Sequence, residues 1–127
     1  YFDWPNLERM LGCGLFTAVH YDERRAIAGA SRVVAIAGGA RLTEVLEDCD
    51  AAAGRLAYRI LDNDALPVRD YHGAVVVTAA DPARTRVDFP CRCRLVGIDA
   101  DAWRALYADM QAGFIAHIAT RLGLPGR

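Results

Sequence analysis

The sequence predicts an α+β domain: a curved antiparallel sheet wrapped around one long C-terminal helix, with a short N-terminal helix and an internal cavity. Three observations point there. Apolar residues recur at every second position in segment after segment from residue 15 to residue 97, which is the period of a half-buried strand. From residue 99 the period changes to that of an amphipathic helix. No repeat, linker or low-complexity stretch interrupts the order, and 127 residues suit one domain with one core.

In "DWPNLERML" Asp3 is placed to cap a short helix of about two turns, with Pro5 tolerated in the first turn, whose N–H groups have no intrahelical partner. "LFTAVHYD" (15–22) and "GASRVVAIA" (29–37) are rich in β-branched and aromatic residues, and the glycines of "GGA" supply the turn that joins the second to "GARLTEVLEDCD" (39–50). After "DAAAG", the stretch "RLAYRILD" (55–62) alternates Leu56, Tyr58 and Ile60 with Ala57, Arg59 and Leu61. "RDYHGAVVVTAA" (69–80) is a further strand, turned by Asp81 and Pro82. In "TRVDFPCRCRLVG" (85–97) Val87, Phe89, Cys91, Cys93 and Leu95 form a dry face, and Pro90, which cannot donate to a ladder, marks an edge or a bulge. Six strands follow. In the closing helix Trp103, Leu106, Tyr107, Met110, Phe114, Ile115, Ile118 and Leu122 fall on one stripe, with an aspartate at the start and Gly123 and Pro125 at the end. A meander curled around one helix does not fill its own concave side, hence the cavity.

Bulk properties exclude several functions. The formal charge is −1 with both signs dispersed, so there is no electrostatic footprint for nucleic acid. No apolar run approaches the ~18 residues of a membrane span, and membrane insertion is not expected. Every one of the 15 basic residues is arginine, which rules out Schiff-base lysine chemistry. Cys13, Cys49, Cys91 and Cys93 show neither CxxC pairs nor a disulfide-scaffold spacing, and read as reduced cytoplasmic thiols. Cys91 and Cys93 lack the companions of a metal site and read as small apolar lining; no metal or other cofactor is expected. His20, His72 and His117 are dispersed and support no triad, and "AIAGGA" is a hairpin rather than a phosphate loop.

Glu44 breaks the pattern of its strand, sitting between Leu42 and Leu46 on the face that should be buried. A three-residue hairpin loop at 38–40 puts Arg32 on the same face, opposite Leu46 and diagonal to Glu44. Three readings stay open: a structural ion pair inside the sheet, a polar pair lining a ligand cavity, or, if the register differs, two charges facing water.

Taken together, the residues resemble the START/polyketide-cyclase superfamily (SRPBCC). The resemblance is carried by Trp4-Pro5, by the "G-x-x-R" of Gly29 to Arg32 and by the "G-x-x-x-x-E-x-L" of Gly39 to Leu46. It continues in Tyr58 of "LAYRI", in "LPVRDY" (66–71), and in Gly113 and Phe114. It runs from about residue 4 to residue 122, and its weight lies in the order and spacing of motifs that are individually weak. It implies the helix-grip fold, with a first strand that closes the sheet beside the last; as the chain opens at Tyr1 without such a strand, a missing N-terminal segment is expected.

The resemblance further implies an apolar internal cavity roofed by the closing helix. The expected ligand-binding residues are Arg32, Glu44, Leu46, Tyr58, Tyr71, Phe89, Cys91, Met110 and Phe114. Two functions compete for that cavity. One is a carrier or binding protein for a hydrophobic small molecule such as a lipid, an aromatic or a polyketide. The other is a cyclase, aromatase or dehydratase in which Arg32, Glu44, Tyr58 or Tyr71 moves protons, Tyr58 and Tyr71 donating to a carbonyl oxygen where enolate charge develops. Lysine-dependent and iron–sulfur branches of the superfamily do not carry over to this chain. A third possibility, favoured by a cavity too small to admit a guest, is a protein-interaction module, with a homodimer among its forms.

Overall fold

A computed structural model describes residues 4–123. The chain begins in a 3₁₀ segment, Trp4–Met10, interrupted by a non-helical Asn6. Seven strands follow: β1 (Phe16–Tyr21), β2 (Ser31–Ile36), β3 (Arg41–Asp50), β4 (Arg55–Leu61), β5 (Val68–Asp81), β6 (Arg84–Asp88) and β7 (Cys91–Leu95). Helix α1 (Ala100–Leu122) closes the fold. All pairings are antiparallel between sequence neighbours, except that β6 and β7 both pair with the long β5. The result is a curled half-barrel with α1 across its concave side, and the core is packed between them from Val34, Leu42, Leu46, Leu56, Tyr58, Tyr71, Trp103 and Phe114.

Several expectations change in detail. The N-terminal element is a kinked 3₁₀ segment rather than a regular helix; its expected cap Asp3, and Pro125 at the other end, lie outside the described residues. The segment 85–97 is two short strands, because Phe89-Pro90 drops out of the ladder where proline has no N–H to give. The hairpin loop is 37–39 rather than 38–40: Ile36 N–H bonds the carbonyl of Ala40 at 2.8 Å. Arg32 therefore stands directly opposite Glu44 rather than Leu46. A shift of two residues preserves the face, so the two side chains still share it. The segment in which a strand ahead of Tyr1 was expected also lies outside the described residues.

The caps of α1 are those the sequence signals. Asp99 Oδ1 accepts from Ala102 N–H at 2.8 Å, and Gly123 adopts the left-handed conformation (φ 68°), its N–H bonding the carbonyls of Ala119 and Thr120. Trp103 and Phe114 are buried and Tyr107, Met110 and Ile118 half-buried against the sheet, whereas Leu106 and Leu122, expected on the same stripe, are exposed. The stripe is narrower than predicted because α1 stands off from the strands at side-chain distance, its backbone approaching the 3₁₀ segment more closely than any strand. His117 fixes that approach, its Nε2 lying 2.8 Å from the Arg9 carbonyl.

Candidate functional site: an apolar chamber with a polar wall

The stand-off between α1 and the sheet leaves a chamber of about 40 Å³, room for a few water molecules. Leu15, Phe16, Ile36, Leu42, Ile60 and Leu66 give it apolar walls, and Phe89, Met110 and Phe114 close it toward the helix. Its polar groups are Glu44, Tyr58, Tyr71, Tyr107 and Gln111. No helix among the described residues is long and apolar enough to cross a membrane.

Glu44 is held at the wall by Arg32. Their direct cross-strand register brings Arg32 Nε to 2.8 Å from Glu44 Oε1, and the two side chains are 1 % and 3 % exposed. Behind the carboxylate the guanidinium donates to the Trp4 carbonyl at 3.0 Å and lies 3.9 Å from the centre of the Trp4 ring, a cation–π contact. Tyr21 adds a second tie: its hydroxyl donates to the Trp4 carbonyl and accepts from Leu7 N–H. Arg32 thus anchors the 3₁₀ segment with one edge and orients Glu44 with another.

Beside this pair, from the Tyr58 position diagonal to Glu44 on the neighbouring strand, runs a chain of phenols. Tyr58 and Tyr71 hydroxyls are 3.4 Å apart, Tyr71 and Tyr107 hydroxyls 3.0 Å, and Tyr107 donates to the Phe89 carbonyl at 2.8 Å. That carbonyl sits at the break between β6 and β7. The tyrosines converge for two local reasons. A bulge in β5 between Arg69 and His72, with Asp70 at φ 52°, lets both Val68 and Tyr71 face inward. Gly73 supplies the space: a Cβ there would lie 2.7 Å from a Tyr71 ring carbon and 2.9 Å from Tyr58 Cζ. Burial raises the pKa of all three phenols; for Tyr58 the Tyr71 hydroxyl and the Glu44 carboxylate act in the same direction, whereas the hydrogen bond from Tyr58 to Tyr71 and that from Tyr71 to Tyr107 act against it at the accepting phenol.

Of the residues selected from the sequence, Glu44, Tyr58, Tyr71, Phe89, Met110 and Phe114 line the chamber. Arg32 stands behind Glu44. Leu46 is buried in the core beside it, as the cross-strand partner of Tyr58. Cys91, half-buried against the same core from β7, does not line the chamber. Sequence reasoning did not select Tyr107 or Gln111; Tyr107 was visible as a polar-tipped member of the helical stripe, and Gln111 as the polar residue beside Met110.

The curled sheet closed by one long helix, with a chamber between them, is a helix-grip-like α+β fold. Solved structures share it. One is an uncharacterised protein from Bacillus thuringiensis, with a TM-score of 0.64 and 18 % sequence identity over 89 % of each chain. Another is the protein XoxI from Bacillus cereus, with a TM-score of 0.63 and 19 % identity, over 89 % of this chain and 86 % of that one. At such identities the likeness is one of fold. No family model matches the chain, and no curated protein matches it.

Proposed function

We propose that this chain is a START/polyketide-cyclase-like (SRPBCC) domain that binds a hydrophobic small molecule between α1 and the concave face of the sheet. The observation that carries this reading is the charged and polar wall inside an otherwise apolar chamber: a Glu44 carboxylate oriented by Arg32, beside a tyrosine chain. Few convergent polar groups in an apolar cavity are the usual make-up of a small-molecule site. The helix roof rests on side chains of adaptable shape, Met110 above all, so a guest larger than the present volume enters by displacing Met110 and Tyr107.

A cyclase or dehydratase has less support. Each phenol is engaged in the hydrogen-bond chain, so Tyr58 and Tyr71 would have to break it to donate to a substrate carbonyl. The volume itself favours a different second reading: about 40 Å³ is far below the ~300 Å³ at which drug-sized sites begin, as a well-filled interaction module would show.

Native mass spectrometry on protein purified gently from its host, beside a Met110→Trp variant that fills the roof, separates the two. A co-purifying apolar mass present on the wild type and absent from the folded variant supports the binding reading. Bare protein in both, with no binding of the hydrophobic fluorophore 1-anilinonaphthalene-8-sulfonate and a dimer in light scattering, supports the interaction module.

A further inference from the structure

The hydrogen-bond chain fixes the polarity of the chamber, and so the chemistry of its guest. A phenol has one proton to give. Tyr107 gives its proton to the Phe89 carbonyl at 2.8 Å, so in the 3.0 Å contact between Tyr71 and Tyr107 the donor is Tyr71. With that proton committed, the donor in the 3.4 Å contact between Tyr58 and Tyr71 is Tyr58. All three protons run one way along the chain and end on a backbone carbonyl. Glu44, the remaining charged group of the wall, is a carboxylate whose Oε1 already takes the Arg32 N–H; an ionised carboxylate only accepts. Gln111, also in the lining, carries a neutral amide with two N–H donors and one acceptor. The wall therefore offers a charged acceptor, Glu44, with the three phenolic protons already committed, and the donor it keeps for a guest is the neutral amide of Gln111.

We infer that the guest is a hydrogen-bond donor, an apolar molecule carrying a hydroxyl or amine, and that the chamber discriminates against ketones and aldehydes of the same shape. The recognising group is Glu44. A hydroxyl set against it gains a charge-assisted hydrogen bond; a carbonyl oxygen there meets like charge and finds a phenolic proton only by breaking the chain. This selectivity deepens the binding reading above and rests on it.

The test uses probes that share a carbon skeleton, 2-butanol and 2-butanone, small enough to need little opening of the roof. The chain has two methionines: Met110 lines the chamber, whereas Met10 is buried at the end of the 3₁₀ segment. With methionine methyls labelled with ¹³C, Met110 reports occupancy of the chamber, and Met10, which lines a separate cleft with Leu7 and Ile118, reports binding elsewhere. The expected result is a Met110 shift that saturates about tenfold or more earlier with the alcohol than with the ketone, the factor one hydrogen bond to a charged group supplies. Tyr107→Phe frees the Tyr71 proton and narrows the ratio, whereas Gln111→Leu, which removes the neutral donor open to a ketone, widens it. Glu44→Gln, which turns an acceptor into a donor, reverses it. Equal or tighter binding of the ketone by the wild type overturns the inference and leaves the binding reading standing, and this comparison needs no variant to fold. A ratio that Tyr107→Phe leaves unchanged overturns the proton count. No Met110 shift with either probe removes the binding reading and the inference together.

Discussion

Arg32 and Glu44 are direct cross-strand partners on β2 and β3, joined at 2.8 Å and almost wholly removed from water. Two charges this deep are tolerated because each satisfies the other and the guanidinium also holds the Trp4 carbonyl and ring. Removing one partner leaves a buried charge uncompensated, a loss of about 3–5 kcal/mol, whereas replacing both by apolar groups of similar volume is far milder. Glu44→Leu and Arg32→Met are each expected to destabilise by that amount in urea unfolding. The double variant is expected to be more stable than the sum of the two losses predicts. Additive losses would show that the pair is not an energetic unit.

The phenol chain makes a prediction about alkaline pH. Tyr58 and Tyr71 have pKa values raised by burial above the ordinary value near 10. For a group raised in this way the stabilisation is complete below the unfolded pKa. It declines as pH rises from there toward the folded pKa, since only the unfolded chain releases its proton. Above pH ~10 each of these two phenols is expected to take away about 1.4 kcal/mol per pH unit. Absorbance at 295 nm should show their ionisation coinciding with loss of near-ultraviolet circular dichroism. Ionisation of all the tyrosines in a protein still folded at pH 11 would contradict the burial argument.

Gly73 is where the backbone makes room for that chain. Nothing strains its φ; the constraint is space, with a Cβ at 2.7 Å from the Tyr71 ring and 2.9 Å from Tyr58. Gly73→Ala is expected to cost about 1–3 kcal/mol through overpacking and to disturb the Tyr71–Tyr107 contact. The change should appear in the near-ultraviolet spectrum even where the fold survives. A neutral Gly73→Ala with an unaltered spectrum would mean that the two rings are free to move apart.

The sequence carried the parity of each strand better than its register. Arg32 and Glu44 were placed on one face correctly because parity survives a two-residue shift, but the partner of Arg32 depended on whether Ala37 or Ala40 belongs to the loop, and two alanines give no signal. Phe89-Pro90 announced an irregularity without saying that it would split one strand into two and leave a carbonyl for Tyr107. The helix and both of its caps were legible because periodicity and capping are local. Its exposed Leu106 and Leu122 were not, because the distance between helix and sheet is a property of the whole core. Tyr107 was missed for a related reason: a tyrosine on a core stripe looks like packing until two strands bring the Tyr58 and Tyr71 hydroxyls, and the break after β6 the Phe89 carbonyl, to its side.

Asp70 offers the last test, since it carries the irregularity that lets Val68 and Tyr71 both face inward. It sits in the bulge opposite β7 at φ 52°, a left-handed conformation that aspartate visits more readily than alanine and that glycine adopts without steric penalty. Its carboxylate also meets Arg94 Nε at 2.7 Å, but both side chains are largely exposed, so that pair adds little. Conformation, not charge, should decide the outcome. Asp70→Gly is expected to be near neutral in urea unfolding and to leave the Tyr71–Tyr107 contact intact, whereas Asp70→Ala should be about 1 kcal/mol less stable than the glycine variant. Equal losses in the two variants would assign the role of Asp70 to its ion pair with Arg94 and leave the bulge to be held by its neighbours.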